Sequence, residues 1–422
     1  MLKRKFGSIP LYLQIIIGMV VGIVVGLIAL PLGLQTIVKD WITPWGHLFI
    51  KLLQLIAVPL VFFSLIKGVT GLQDISRFSN LGGKTVFLYI ITSVFAVLVG
   101  LGAGLLVKPG ELVNKETVVH LQEQYKAFAD EKGSVAQQQN QGKGPLAFLD
   151  EIVPSNIVSA SSDNSRMLQV IFFALFFGLA TLTIPHGKTE LVVRFFDGMN
   201  EIVLRMVDYI IQLAPWGVAA LMAGLVVDFG GDASVFSALA VYAFTVAFCL
   251  FLFLLVFYPL IIHFFTGVPV KKFMKAMYPV QLFAFTTSSS AATLPLNMST
   301  IQHKIGISET VTSCVCHVGT TINMDGTSCY QTIAVLFIAQ ALGIDLSLSQ
   351  ILVILLMTIL SSIGTPAIPG GSYVILAMVL TSVGIPAEGL ALIIGIDRPL
   401  DMLRTSVNVT GDAVICSIVD KK

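Results

Sequence analysis

The stretch ALIIGIDRPLDMLRTSVNVTGDAVICSIVD, residues 391–420, decides how this chain is read. It is apolar enough for a membrane helix, yet Asp397, Asp401, Arg404, Asn408 and Asp412 recur in it at spacings of 4, 3, 4 and 4. At about 100° per residue they fall within roughly 80° of one another on a helix. An ionisable side chain in a bilayer costs about 2.5–3.5 kcal/mol or more, so such residues face a functional cavity or a protein partner. A one-sided line of them predicts a ligand or ion path. The plainer alternative is a polar seam between two helices.

Composition agrees with a membrane setting. Hydrophobic residues make up 55% of the 422, charged residues 12%, and mean hydropathy is +0.89. This is the profile of a polytopic membrane protein. The net charge of +1, with no basic tract and no phosphate-binding glycine loop, argues against nucleic-acid binding and an ATP-driven motor. The five cysteines lie in or beside apolar runs and read as small core residues. Lys3, Arg4 and Lys5 precede a full-length apolar run without a small-residue cleavage site, which predicts a retained helix.

Six apolar spans are expected at about 11–31, 46–70, 84–107, 166–185, 198–227 and 236–266. Each reaches the ~20 residues a bilayer needs. Positive charge orients them with the N-terminus in the cytoplasm. The inside loops then hold Lys67, Arg77 and Lys84, then Lys188 and Arg194, then Lys271, Lys272 and Lys275, whereas the loop after span 5 holds Asp228 and Asp232. Segment 108–150 carries five lysines beside Glu111, Glu116, Glu123, Asp130 and Glu131, with a glutamine-rich polar run, and is expected to be a flexible outside excursion.

The remainder is apolar but broken. FMKAMYPVQLFAFTT (273–287) leads to SSSAATLP (288–295) and a short second arm to about 303; LSLSQILVILLMTILSS (346–362) leads to IGTPAIPGGS (363–372) and YVILAMVLTSVG (373–384). Arms of roughly 8–17 residues are too short to cross comfortably, so each pair is expected to be a re-entrant hairpin with an irregular tip. A kinked pair of full helices is the alternative. Tips of this kind present backbone N–H groups to an anion. Each hairpin is followed by one span: span 7 at about 307–343, interrupted by GTTINMDG (319–326), and span 8 with the ionisable line. One crossing separates the two units, so they have opposite topology, and such an inverted repeat with broken helices predicts a secondary transporter.

Asn323, Met324 and Asp325 favour unwound backbone whose carbonyls, with carboxylates and amide oxygens, suit hard cations. Four deep acids (Asp325, Asp397, Asp401, Asp412) outnumber two arginines (Arg398, Arg404), leaving a negative excess of two. Bound Na⁺ or protonation would offset it. The residues alone leave that choice open.

Together, SSSAATLP (288–295), NMDGT (323–327), PGGS (369–372) and DMLRTSVNVTGD (401–412) resemble the dicarboxylate/amino acid:cation symporters, the sodium-coupled glutamate/aspartate transporters that include the excitatory amino acid transporters. The resemblance implies an all-α polytopic fold of eight transmembrane helices and two re-entrant helical hairpins, with inverted repeats and an elevator mechanism. It implies a homotrimer in the plasma (inner) membrane with cytoplasmic termini. Scaffold helices 1 and 2 would lie in 1–83 and helices 4 and 5 in 151–235; helix 3 (84–107) and residues 236–422 would form the transport domain. Hairpin 2 would gate the extracellular side.

Roles follow residue by residue. Arg404 resembles the arginine that pairs with the substrate's side-chain carboxylate, and Asp401 the acceptor of its ammonium. Thr327, Thr405 and Asn408 resemble further substrate contacts. Ser288, Ser290 and Ile368 resemble the tip donors to the α-carboxylate. One Na⁺ set is Gly319, Asn323, Asn408 and Asp412. A second is Thr321, Met324, Ser362, Ile363 and Thr365. A third is Tyr89, Thr92, Ser93, Asn323 and Asp325. Two departures stand out: Ser372 replaces a glycine close to the substrate in many members, and Thr286 and Thr287 stand where some carry an arginine. The expected activity is Na⁺-driven uptake of L-aspartate or L-glutamate, with H⁺-coupled dicarboxylate or neutral amino-acid transport as the alternative. An intramembrane aspartyl protease is disfavoured, because the Gly-x-Gly-Asp context is missing.

Overall fold

The computed structural model describes residues 11–70, 79–114, 119, 152–163, 166–228, 232–362 and 371–420. Every regular element among them is helical. Three helices, Gln35–Thr70, Gly83–Leu112 and Ala233–Phe265, are long and apolar enough to cross a bilayer, and a bent pair from Gly187 to Asp228 makes a fourth.

Span 1 is α1 (Leu11–Ala29), span 2 is α2 (Thr43–Thr70), entered through a π turn at Val38–Ile42, span 3 is α3 (Ser79–Val107) and span 4 is α4 (Met167–Thr183). Span 5 differs from expectation. It starts twelve residues earlier and divides into α5 (His186–Gln212) and α6 (Ala214–Asp228), which meet at 50°. Charges at Glu190, Arg194 and Asp197 hid its first turns from a reading based on apolar runs. The bend sits at Pro215, which has no N–H to continue the α5 ladder.

α1 and α6 pack at close range. Gly18, Gly22 and Gly26 form an i, i+4 stripe, and a Cβ on any of them would collide with the backbone or side chains of Pro215, Ala219 or Val226. Small residues in such a stripe let membrane helices approach until their backbones touch. α2 buries Phe49, Leu53, Ile56, Leu60 and Ile66 against α4, α5 and α6.

The second half forms another packed group. Span 6 is α7 (Ala233–Leu252), continued through a π turn into α8 (Tyr258–Phe265). Asp232 caps it by accepting from the Ser234 N–H at 2.8 Å. α9 (Val270–Thr287) and α10 (Ser290–Thr300) pack against each other, and Ser288 reverses the chain at φ 49. Span 7 is α11 (Glu309–Ile322) and α12 (Asp325–Ala341); α13 (Leu348–Ser362) and α14 (Gly371–Ser382) form the second helical pair. Its tip, with Ile363, Thr365 and Ile368, lies outside the described residues.

α15 (Asp397–Val419) begins six residues later than the quoted stretch, because the preceding Ala387–Leu392 is a 3-10 segment. α15 packs on α9, α11 and α12 and is buried along almost its whole length. α3 lies on α12, where Gly100 leaves room for the Cys329 carbonyl. The two groups touch where α14 meets α2 and α4 and where α1 meets α15.

Segment 108–150 starts differently from expectation. Its first residues are docked: Pro109, Gly110 and Val113 are buried, and the Gly110 N–H donates to Gln340 Oε1 at 3.1 Å. Gln340 Nε2 donates in turn to the Gly104 carbonyl at 3.0 Å, so α12 holds this turn. Residues 115–118 and 120–150 lie outside the described residues.

Candidate functional site

α15 and the break between α11 and α12 build the site. In α15, Arg398 Nη1 donates to Asp401 Oδ2 at 3.0 Å, and Asp401 Oδ1 accepts from Arg404 Nη2 at 2.9 Å. Arg404 Nη1 and Nη2 face Oδ1 and Oδ2 of Asp397 at 3.1 and 3.2 Å. The four side chains alternate in sign and form one chain of ion pairs. The Arg404–Asp397 end is sealed at 1% side-chain exposure for each partner, while Arg398 and Asp401 keep 9% and 12%. The Arg404 guanidinium also lies over the Tyr330 ring, 3.8 Å from its centre, and donates through Nη2 to Ser372 Oγ at 3.0 Å. The end-on fork of Arg404, which the sequence reading gave to a substrate carboxylate, is thus held by Asp397. Only Nη2 makes a hydrogen bond to Asp397; Nη1 makes an ion-pair contact there, and the Nε–H and Nη1–H groups have no hydrogen-bond acceptor among the described residues.

This cluster settles where the negative excess resides. The two arginines cancel Asp397 and Asp401, leaving the charges of Asp325 and Asp412. Neither has a basic side chain within ion-pair distance among the described residues, and both are buried. Neutral donors hold them instead. Asn323 Nδ2 donates to Asp412 Oδ1 at 2.8 Å, and the Tyr89 hydroxyl lies 3.5 Å from the same oxygen and 3.0 Å from the Val315 carbonyl. The Tyr258 hydroxyl donates to Asp325 Oδ2 at 2.9 Å, and Ser93 Oγ lies 3.5 Å from Oδ1. Thr92 donates to the Tyr89 carbonyl at 3.1 Å.

The chain break brings these groups together. α11 stops at Ile322, Asn323 is extended (φ −87, ψ 94), and α12 restarts at Asp325. Asn323 Nδ2 also donates to the Asn408 carbonyl at 3.0 Å, while its Oδ1 is buried with no hydrogen-bond partner among the described residues. An orphaned amide oxygen beside a buried carboxylate is a donor set that fits a hard cation. Two glycines permit the approach. A Cβ at Gly319 would collide with the Asp412 carboxylate and the Tyr89 hydroxyl, and one at Gly411 would lie 2.7 Å from Asn323 Nδ2 and 2.8 Å from the Tyr258 hydroxyl.

Asn408 ties the cation region to the cluster. Its Oδ1 accepts from the Gly326 N–H at 2.9 Å, and its Nδ2 lies 3.2 Å from both Met324 Sδ and Thr327 Oγ1. Thr405 is spent locally, donating to the Asp401 carbonyl at 2.8 Å. At the α9–α10 turn Ser288, Ser289 and Ser290 are buried; Ser289 Oγ accepts the Ala292 N–H at 3.2 Å, and Ser288 Oγ has no hydrogen-bond partner among the described residues. Of the expected residues, Tyr89, Ser93, Asn323, Met324, Asp325, Thr327, Asn408 and Asp412 are thus joined around the break, with Gly319 in contact. Ser372, Asp401 and Arg404 join in the ion-pair cluster. The side chains of Thr321 and Ser362 lie outside the description.

Sequence reasoning placed Asp397 on the ionisable line and read Arg398 as a charge standing in for the arginine missing before the first hairpin's serines, but gave neither its partner, and it assigned no role to Tyr258 or Tyr330. The spacings of Asp397 and Arg398 from Asp401 and Arg404, two helical turns or less, were an available signal. The tyrosines come from other helices and carried none.

A profile of the sodium:dicarboxylate symporter family matches residues 11–422. The chain is 35% identical over 386 residues to the proton/sodium-glutamate symport protein of Bacillus caldotenax, covering 91% of this chain and 88% of that one. It is 32% identical over 391 residues to the proton/glutamate-aspartate symporter of Escherichia coli (strain K12), covering 91% and 86%. It is 31% identical over 382 residues to the C4-dicarboxylate transport protein of Bacillus subtilis (strain 168), covering 90% and 86%. A buried ion-pair cluster beside two uncompensated carboxylates, on a multi-pass helical chain with no catalytic arrangement assigned to it, suits a transporter, and the chain belongs to the sodium:dicarboxylate symporter family.

Proposed function

We propose that this protein moves L-aspartate or L-glutamate into the cell, driven by co-transported Na⁺. One observation carries the reading: a fully buried guanidinium sits one helix turn from Asn408, whose amide reaches the break that holds two carboxylates without a basic partner. An acidic amino acid brings one more negative charge. Entry with cations is then the electrostatically permitted route, because a buried charge must be compensated.

In this reading the substrate's side-chain carboxylate is drawn to Arg404, whose Nε–H and Nη1–H groups have no hydrogen-bond acceptor among the described residues. Asp401 receives the ammonium. The serines at 288–290 and the second tip near Ile368 offer N–H groups to the α-carboxylate, with Thr327, Ser372, Thr405 and Asn408 completing the wall. Na⁺ is held in the three residue sets above, around Asp412, around Met324 with Thr321 and the end of α13, and around Asp325 with Tyr89, Thr92 and Ser93. Neutral amino acids would leave Arg404 without a carboxylate to pair, which disfavours them.

The two packed groups fit a scaffold of α1, α2, α4, α5 and α6 and a transport unit of α3 and α7 to α15, with eight spans and two re-entrant hairpins in all. The second hairpin gates the outside, and the transport unit moves as an elevator. α5 supports an oligomer: Glu190, Arg194, Asp197, Arg205 and Asp208 run along a half-exposed face that lipid would not solvate. A homotrimer joined through the scaffold would cover it. The basic residues Lys271, Lys272, Lys275 and Lys304 at the base of the first hairpin place it on the cytoplasmic side of the inner membrane.

Proton coupling is the second reading, because protons on Asp325 and Asp412 would neutralise the same pair. Purified protein in liposomes separates the two. Labelled L-aspartate and L-glutamate uptake under an inward Na⁺ gradient should vanish when choline replaces Na⁺, and in Arg404→Ala. Uptake that persists without Na⁺ and follows a pH gradient would replace Na⁺ by H⁺.

A further inference from the structure

Asp401 is engaged on both oxygens, and its two partners are not equivalent. Arg404 is sealed at 1% exposure and fixed by Asp397, Ser372 and the Tyr330 ring. Arg398 sits at the more open end, contacts Asp401 through one Nη1–H at 3.0 Å, and its Nε–H is buried without an acceptor among the described residues. Arg398 is therefore the partner that can exchange.

We propose that Arg398 is a specificity-determining residue that stands in for a substrate ammonium on Asp401. With an acidic amino acid bound, the ammonium takes Asp401 Oδ2 and Arg398 gives way. With an amine-free C4-dicarboxylate, Arg398 stays, Asp401 remains neutralised, and Arg404 still receives a carboxylate. Without Arg398, Asp401 would keep only Arg404, which the substrate carboxylate also needs, and its undercompensated charge would repel such a substrate in a site with little solvent screening. Arg398 thus sets how strictly the site demands an amino group. The inference rests on the reading of Asp401 as the ammonium acceptor.

The test uses the full-length protein in liposomes. Uptake of labelled L-aspartate is titrated with unlabelled L-aspartate and with succinate, in the native chain, Arg398→Gln and Arg398→Lys. The Gln variant should shift the succinate-to-aspartate ratio of inhibition constants toward aspartate by about tenfold or more. The Lys variant keeps the charge and should hold the ratio within about threefold. Parallel changes for both ligands in the Gln variant, leaving the ratio within about threefold of native, would mean a merely structural role and overturn the inference. If the Gln variant does not survive purification, Arg398→Met, which also removes the charge, is read in the same way. Native protein that takes up no L-aspartate would instead overturn the ammonium reading itself.

Discussion

Asp412→Asn tests the cation reading most directly. Asp412 is 2% exposed, holds one of the two negative charges that no arginine compensates, and keeps two neutral donors, Asn323 and Tyr89. The amide is isosteric, and its oxygen can still accept from Asn323, so the fold should persist. A monovalent cation about 4 Å from a carboxylate gains about 4 kcal/mol at an effective dielectric of 20, which is near a thousandfold in affinity. At Na⁺ one hundred times above the native dissociation constant, binding stabilises the native chain by about 2.7 kcal/mol. With affinity a thousandfold weaker, the same Na⁺ concentration yields about 0.1 kcal/mol. Thermal melting in detergent, in NaCl and in choline chloride, reads this difference. The native chain should melt several degrees higher in NaCl, and the variant's difference between the two salts should shrink by the contribution of this one site. In choline the variant should be at least as stable as the native chain, because an unpaired buried charge has gone. An undiminished Na⁺ shift in Asp412→Asn would refute the placement of a cation at this carboxylate.

Three further outcomes are expected. Tyr258→Phe removes the 2.9 Å hydrogen bond to Asp325 and should weaken half-saturation by Na⁺ about tenfold, while the KM for L-aspartate at saturating Na⁺ stays put; a change confined to the substrate KM would contradict it. Arg404→Lys loses the two-point grip on Asp397 and the stacked Tyr330 face, and should raise the KM for acidic substrates about a hundredfold in uptake assays, which a change below threefold would contradict. Gly22→Val forces α1 away from α6 and should destabilise the protein by about 1–3 kcal/mol in a melting assay; an unmoved melting temperature would show that the close crossing matters little.

Periodicity made part of this site readable and left part of it hidden, for identifiable reasons. The line Asp397, Asp401, Arg404, Asn408, Asp412 follows from helix geometry alone, and α15 carries all five on one buried helix. The break at Asn323 and Met324 was legible because amide and carboxylate side chains beside glycine compete with helical hydrogen bonds. Pairing was not legible. The spacing allows Arg404 to meet Asp397 or Asp401, and only packing under Tyr330 and Ser372 directs its fork to Asp397. Tyr258 reaches Asp325 across 67 residues of chain, a tertiary contact with no local trace. The start of α5 was missed because charged residues on one face lowered its apolar signal, and its bend follows from a proline that the reading passed over.

The division of charge gives α15 two electrostatically distinct regions, as the proposed binding of both substrate and ions on one helix requires. Had the arginines of α15 faced Asp412, the cation region would be neutral and would hold no ion strongly. They instead pair N-terminally, with Asp397 and Asp401, leaving the C-terminal carboxylate and Asp325 to neutral donors. The two regions share Asn408, which accepts from Gly326 and approaches Met324 and Thr327, while its backbone carbonyl receives Asn323. A cation drawn to Asp412 and the Asn323 amide oxygen would order Asn323, and Asn323 would then fix the register of α12 against α15 beside Arg404. A substrate of charge −1 added to two unpaired carboxylates calls for compensation by about three positive charges if the loaded site is to cross hydrocarbon near neutrality. Loading either partner alone leaves a larger uncompensated charge, and that asymmetry is a sufficient physical cause for coupled movement.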